Sequence, residues 1–458
     1  MIMNKQIFRE YDIRGKVGQD LTPDVVKNLG KAFGSYIQQK IAKNNLVVGR
    51  DNRNSSPSFF NYLVDGLLET GCNVLDIGIV PTPLFYFSLH HFKKDGGVMI
   101  TASHNPPEFN GFKMCIGKDT IYGHDIQRIK DTIEGSKYKT GTGRIEKGSV
   151  TDAYLEMINK KIQLNKKIKI VVDAGNGTAS LIAPQVLSSI GCEVIELFCK
   201  LDGNFPNHFP DPTVPENLST LIKRVKEEKA DLGIGYDGDA DRIGTVDENG
   251  DIIWGDSLLI LFARDVLKKN KGAKIIYEVK SSQNLEEDII NHGGLPIMWK
   301  AGHSLIKSKM KEEGALLAGE MSGHMFFADD YYGFDDAIYA SCKLAQIISD
   351  SNCSLSNLLN NIPKTHATPE IRVDCSDEIK FEVVEEVKKG LKEDNKFELI
   401  DIDGVRIKFD EGWGLLRASN TQPAIVLRFE ARSQEALEQY KDFLFDKLKK
   451  GMDCCEST

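Results

Sequence analysis

One strand–helix–strand pattern is written three times along the chain, and that repetition limits the fold more than any other feature of the sequence. The first copy runs NLVVGRD (45–51), FFNYLVDGLLET (59–70) and GCNVLDIG (71–78). The second runs IKIVVDAGNGT (168–178), LIAPQVLSSI (181–190) and GCEVIELF (191–198). The third runs AKIIYEVKSS (273–282), NLEEDIINH (284–292) and GGLPIMW (293–299). The spacing from strand to glycine turn, about 15–21 residues, is what a crossover between parallel strands requires. The first strands are Val/Ile-rich rather than alternating, which predicts sheets covered on both faces. The 458 residues exceed what one core serves, and three or four domains are expected.

Each copy continues into a further strand and a polar loop: VMITASHNP (98–106), LGIGYDGDADR (232–242) and LLAGEMSGH (316–324). Open α/β sheets bind ligands beyond strand ends, so the three loops are candidates for one shared cleft. After PKTHATPE (363–370), which reads as a linker, the style changes. A strand IRVDC, a helix FEVVEEVKKGLKE, a hairpin IDGVRIKFDEGWGLLRASN and a strand AIVLRFEA precede a last helix from Ser433. Leu437, Tyr440, Leu444 and Leu448 share one face of that helix and are read as core.

Composition excludes several classes. A net charge of -9 argues against a nucleic-acid or membrane-surface partner. The N-terminal MIMNKQIFREYDIRG lacks a signal core, and the longest apolar runs, such as LLILFA from Leu258, fall far short of the about 20 residues that span a bilayer. Nine irregularly spaced cysteines, with Cys454 and Cys455 in a polar tail, resemble neither a disulfide framework nor a zinc site, and a cytoplasmic location is expected.

Asp237, Asp239 and Asp241, alternating with small residues after an apolar strand, can converge on one hard cation. An EF-hand fails because Arg242 stands at the sixth position, where glycine is needed. Arg242 instead points to a phosphate beside the metal. Ser103, between Ala102 and His104 and before Asn105-Pro106, is either a nucleophile or part of a turn; in isolation the turn is the simpler reading. No G-x-S-x-G elbow is present, and Lys113 lies near enough in sequence to fold back toward the serine. Glu320 and Ser322, between Gly319 and Gly323, suit sugar hydroxyls or simply a tight turn. Arg417, Ser419, Asn420 and Thr421 combine a guanidinium, hydroxyls and an amide without a carboxylate, a composition suited to a phosphate dianion. No P-loop is present.

In this order TASHNP, DGDADR, GEMSGH and RASNTQP resemble the phosphoserine, metal, sugar and phosphate loops of the α-D-phosphohexomutases, over essentially the whole chain. YDIRG (11–15), YEVKSS with Lys280, WKAGHS with Lys300 and His303, and DGNFPNHFPDPTVPENL from Asp202 extend the likeness. The resemblance implies three similar mixed α/β domains in tandem plus a smaller C-terminal α+β domain around a central cleft. It implies boundaries of 1–150 for the phosphoserine-loop domain, 151–252 for the metal domain, 253–364 for the sugar domain and 365–458 for the phosphate domain. It further implies a phosphorylated Ser103, with Mg²⁺ held by Asp237, Asp239, Asp241 and a phosphoserine oxygen. Arg14, Lys113 and Arg242 would surround the phosphoryl group. Tyr11, His104, Lys280, Gly302, His303, Glu320, Ser322 and His324 would line the sugar site, and Arg417, Ser419, Asn420 and Thr421 would hold the idle phosphate. His303 and Lys113 are both candidates for the general base.

The implied reaction interconverts hexose 1-phosphate and hexose 6-phosphate through a 1,6-bisphosphate of glucose or mannose, which also serves as activator. Small sugar phosphates are the expected partners of a monomer or dimer, and the fourth domain is expected to swing over them. Met321 in GEMSGH resembles the bacterial phosphomannomutase/phosphoglucomutase type, whereas phosphoglucosamine mutases more often carry Gln there. Gln422 departs from the family, where a small residue is usual. A phosphoglucosamine or pentose-phosphate mutase, a metal-dependent phosphatase and a non-catalytic sugar-phosphate sensor are the alternatives.

Overall fold

A computed structural model describes residues 3–394, 396–419 and 423–456. Its first three sheets share one plan. In the first, Asn45–Arg50 lies between two parallel neighbours, Asn73–Ile79 and Gly96–Ile100; Phe109–Ile116 then returns antiparallel to Gly96–Ile100. In the second, Lys169–Asp173 lies between Glu193–Leu197 and Leu232–Tyr236, and Ile243–Asp247 returns. In the third, Lys274–Glu278 lies between Leu295–Trp299 and Leu317–Gly319, and Met325–Phe327 returns. The central strands are buried along nearly their whole length, as their unbroken Val/Ile runs predict.

The helices follow from local signals. Pro23–Ile41 starts where Thr22 accepts a hydrogen bond from the Val25 amide and ends at Ala42, which adopts a left-handed conformation. Its buried face includes Val25, Val26, Leu29, Phe33 and Ile37, spaced at helical period. His303–Glu313 starts after Gly302, so His303 occupies its first turn.

The three α/β units share one continuous apolar core, which runs from Val47 and Phe85 through Tyr154 and Ile170 to Leu258 and Ile275. The last unit is an antiparallel sheet with a core of its own, in which Val383 and Val387 of Lys380–Asp394 meet Leu437, Leu444 and Leu448 of Gln434–Glu456. The stripe read as core from the sequence is core. Two expectations need correction. The 363–370 segment is more than a spacer, because His366–Ala367 pairs with the strand Ala424–Ala431 and adds an edge to the last sheet. Cys454 and Cys455 lie on the C-terminal helix rather than in a tail, and Cys455 packs against the core. Among the described residues no helix is long and apolar enough to cross a membrane.

Candidate active site

The repeated plan puts three loops in equivalent positions, each joining a parallel strand to the strand that returns beside it. The loops at 101–108, 237–242 and 320–324 meet. Ser103 Oγ donates to Asp237 Oδ2 at 2.6 Å. Arg242 Nε lies 3.3 Å from His324 Nε2, and the Ile243 amide donates to the Gly323 carbonyl at 3.1 Å. Gly238 is required at this junction: a Cβ there would collide with the Ser103 carbonyl oxygen.

Asp237, Asp239 and Asp241 are each 0% exposed, with carboxylate oxygens within 4.8 Å of one another. Buried carboxylates at that separation need compensation. Lys113 supplies part of it, pairing with Asp239 at 3.0 Å and with Asp241. Thr82 Oγ1 donates to Asp239 Oδ2 at 2.5 Å, and Asp237 Oδ1 accepts the Asp241 and Arg242 amides at 3.1 Å each. Burial and then the neighbouring carboxylates push the Asp237 carboxyl well above its ordinary range. Burial pushes Asp241 the same way, but Lys113 and His324 outweigh it and hold that carboxyl well below. Asp239 Oδ1 and Asp241 Oδ1 are buried and accept no hydrogen bond, although His324 Nε2 stands 3.3 Å from the latter. Three hard anionic donors, two with unused oxygens, beside a serine oxygen fit a divalent cation such as Mg²⁺.

Ser103 itself is 1% exposed and sits at a φ of +50°, a left-handed conformation that costs a non-glycine residue free energy. Its amide donates to Thr101 Oγ1 at 2.9 Å, and His104 Nδ1 stands 3.1 Å from its Oγ. Burial, then Arg242 and Arg14, hold His104 well below its ordinary value, so the ring is neutral. Arg14 donates to Asp12 at 2.7 Å and to Asn105 Oδ1 at 2.8 Å, which brings its guanidinium to the serine loop.

The third loop carries the sugar-site candidates. Glu320 Oε1 accepts the Gly302 amide at 2.6 Å, and its Oε2 lies 2.9 Å from His324 Nδ1, beside which Ser322 Oγ stands at 3.0 Å. Burial would depress His324, but Asp241 and Glu320 raise it to about 9. Gly302, at a φ of +130°, packs so closely on Tyr11 that a Cβ would lie 2.5 Å from the ring, and Tyr11 OH donates to the Ala301 carbonyl at 2.7 Å. His303 is edge-on to Tyr11 and 5.6 Å from the His324 ring; neither of its buried nitrogens makes a hydrogen bond, and Nδ1 stands 3.5 Å from Asp335 Oδ2. Burial and the cations Lys307 and Lys113 hold it well below its ordinary value.

Lys280 is engaged by carboxylates, Glu370 Oε1 at 2.7 Å and Glu278 Oε2 at 3.4 Å. Glu278 also holds the loop at 320–324 by accepting the Met321 amide at 2.7 Å, and burial raises its carboxyl to about 7. In the last unit Arg417 Nε donates to Asp403 Oδ2 at 3.0 Å, and the same oxygen accepts the Ala301 amide at 3.2 Å. The Ser419 carbonyl accepts from Lys380 at 2.5 Å. Asn420, Thr421 and Gln422 lie outside the described residues.

Four models of phosphoglucomutase/phosphomannomutase match the chain in order: alpha/beta/alpha domain I at residues 5–140, domain II at 152–250, domain III at 254–366 and the C-terminal domain at 370–447. The chain belongs to the phosphoglucomutase/phosphomannomutase family. Among its relatives, a phosphomannomutase/phosphoglucomutase of Pseudomonas putida is 47% identical over 95% of this chain and 94% of that protein. A phosphoglucomutase of Neisseria gonorrhoeae is 44% identical, over 96% of each chain. The crystal structure of a family protein from Burkholderia thailandensis superposes with a TM-score of 0.92 at 43% identity, covering 98% of both chains. The four-domain architecture is that of the family.

Several residues at this candidate site carry little or no signal in the sequence. Arg53, Thr82, Glu278, Glu370 and Asp403 all touch a candidate residue or its loop. Arg53 has a visible signal, a second arginine just after GRD, but its partners lie about 50 residues away in sequence. Thr82 in PTP and Glu370 in the linker carry none.

Proposed function

We propose that this hexose-phosphate mutase moves its phosphoryl group through Ser103 and acts on both glucose and mannose phosphates. Phospho-Ser103 donates to the free hydroxyl of a hexose 1-phosphate. The P–Oγ bond breaks, a bond from phosphorus to the sugar oxygen forms, and the hydroxyl proton passes by way of His303 to the freed Ser103 Oγ. The 1,6-bisphosphate turns in the cleft; Ser103 Oγ then bonds to the other phosphorus, the bond from that phosphorus to the sugar C1 oxygen breaks, and the serine proton passes to that oxygen, which leaves the 6-phosphate. The observation that carries this reading is the 2.6 Å hydrogen bond from a buried serine, held in a strained conformation, to a carboxylate of a buried acidic triad. Mg²⁺ held by Asp237, Asp239, Asp241 and an oxygen of the phosphorylated serine would supply charge neutralisation to the transferring group. Arg14, Arg242 and Lys113 surround that group in our reading. His303 is the more available acceptor than Lys113: neither of its nitrogens is hydrogen-bonded, and Asp335 Oδ2, 3.5 Å from Nδ1, partly offsets the burial and nearby cations that disfavour a proton on the ring, whereas Lys113 is held charged by two aspartates.

Glu320 and Ser322 grip the 3- and 4-hydroxyls, with Tyr11, His104, Lys280, Gly302 and His324 around the ring. A site that ignores the 2-hydroxyl accepts both epimers. Arg417, Ser419, Asn420 and Thr421 hold the idle phosphate, and the last unit closes over the substrate. Residues 1–150, 151–252, 253–364 and 365–458 are the four functional units. Glucose or mannose 1,6-bisphosphate primes the enzyme, as monomer or dimer, in the cytoplasm. A coupled assay with glucose 1-phosphate, Mg²⁺ and a trace of glucose 1,6-bisphosphate tests the core of this reading. Glucose 6-phosphate should form rapidly, and the Ser103→Ala variant should not form it. Unchanged turnover in the variant would remove Ser103 from the mechanism. A preference between the two sugars above about a thousandfold would instead require a dedicated 2-hydroxyl contact and end the dual-specificity reading.

A further inference from the structure

The Arg53 side chain is 0% exposed, and all five of its N–H bonds are spent. Nε donates to Asp51 Oδ2 at 3.1 Å. Nη1 donates to the carbonyls of Pro106 at 2.7 Å and Phe109 at 3.1 Å. Nη2 donates to the carbonyls of Ser103 at 2.7 Å and Asn105 at 2.6 Å. Four of the five acceptors are therefore backbone oxygens of the segment 103–109, and one belongs to the serine itself. The guanidinium also lies 5.1 Å from the Phe205 ring centroid, on the unit that carries the metal loop. Asn52 next to it donates to the Asn176 carbonyl of that same unit at 2.8 Å. Residues 103–108 have no regular secondary structure to satisfy their carbonyls; that of Pro106 also accepts the Phe109 amide at 3.0 Å, Phe109 opens the returning strand, and Ser103 has a φ that a serine disfavours.

We propose that Arg53 is the positioning residue of the phosphoryl-transfer step: its planar fork is the template on which the serine loop is folded. It sets where Ser103 Oγ stands relative to Asp237. This rests on Ser103 being the phosphoryl carrier. Arg53 touches neither the reacting oxygen nor, in our assignment, the sugar. Its loss therefore slows transfer without weakening substrate binding, because a misplacement of about 1 Å costs about 100-fold in rate. Lysine does not replace it, since an ammonium has three donors and no fork with which to meet four carbonyls and a carboxylate.

The test compares wild type, Arg53→Lys and Arg53→Ala, each checked for folding by near-ultraviolet circular dichroism. It measures kcat and KM for glucose 1-phosphate, and the rate at which glucose 1,6-bisphosphate phosphorylates Ser103, followed by mass spectrometry. We expect kcat and the phosphorylation rate to fall by about 30- to 100-fold in both variants, with KM within about threefold of wild type. Millimolar guanidinium, far below denaturing levels, should restore part of the kcat of Arg53→Ala and none of that of Arg53→Lys, whose side chain fills the space. Retained kcat, a KM that rises in step with the fall in kcat, or unfolding of both variants would overturn the proposal, the last because Arg53 would then serve the whole domain. Uptake of phosphate by Ser103→Ala would overturn the carrier assignment itself, and is read in a separate sample.

Discussion

Around Ser103 the polar groups already hold one another in place, whereas at Lys280 and Arg417 the cations that would meet a substrate are held by carboxylates. The first region lies among three units that share a continuous core, and its loops are tied backbone to backbone. The second lies where the last unit, with its own core, touches the third. There Trp413 and Leu415 pack on Val279, and Arg406 stacks on Trp413 while donating to the carbonyls of Val279 and Ser281. A small apolar contact edged by hydrogen bonds moves more readily than a shared core. If Lys280 and Arg417 meet the substrate as proposed, transfer chemistry is preorganised and substrate capture is an exchange, in which Lys280 would trade Glu370 for the negative charge of a sugar phosphate.

The largest effect is expected at the rigid region. Asp239→Asn removes one of three triad carboxylates and the partner of both Thr82 and Lys113. Its kcat should fall by about a thousandfold or more, and added Mg²⁺ should no longer raise its melting temperature. A variant that keeps both responses would show that the triad is not the cation site. At the exchangeable end, Arg417→Ala should raise KM for glucose 1-phosphate by about 10- to 100-fold while changing kcat little, the pattern of lost uniform binding. An equal fall in kcat would mean that the last unit takes part in the transfer step.

The smallest effect is on stability. Lys280 is the main cause that holds the Glu370 carboxyl down to about 2 from an ordinary 4.5, with burial opposing it. A depressed folded-state value stabilises above about pH 4.5, and the contribution fades as pH falls from there toward about 2. Glu370→Gln should therefore cost about 1–2 kcal/mol near neutral pH, discounted for the partial exposure of the pair. The gap from wild type should close as the buffer is acidified below 4.5. Calorimetry across that range reads it, and a gap independent of pH would make the contact steric rather than ionic.

Much of the fold and of the site is legible in the order of the amino acids. Val/Ile runs at fixed spacing identify the three sheets because burial on both faces leaves no room for alternation. The loops are recognisable because each concentrates rare combinations, three aspartates in register or an arginine among hydroxyls and an amide. What stays hidden is what acts at a distance. Arg53 serves carbonyls, which look alike in every sequence. Glu370 sits in a segment whose Pro and Thr content reads as a spacer, and His366–Ala367 becomes a strand only because Ala424–Ala431 leaves an edge for it. Lys113 lies on an ordinary buried strand, and nothing local announces its aspartate partners more than a hundred residues away.

The sugar loop leaves its sheet at Gly319 and rejoins it at Met325, and those two residues face each other across an antiparallel ladder. The strands therefore clamp both ends of the segment 320–324 and set its length. Its content is tied from the side as well: Glu320 accepts the Gly302 amide at 2.6 Å, and His324 stands 3.3 Å from both Asp241 Oδ1 and Arg242 Nε. A five-residue graft between the same two anchors would therefore reach the aspartate triad through position 324, so that in the proposed assignment a change of sugar at this loop and a change of cation affinity are expected to travel together.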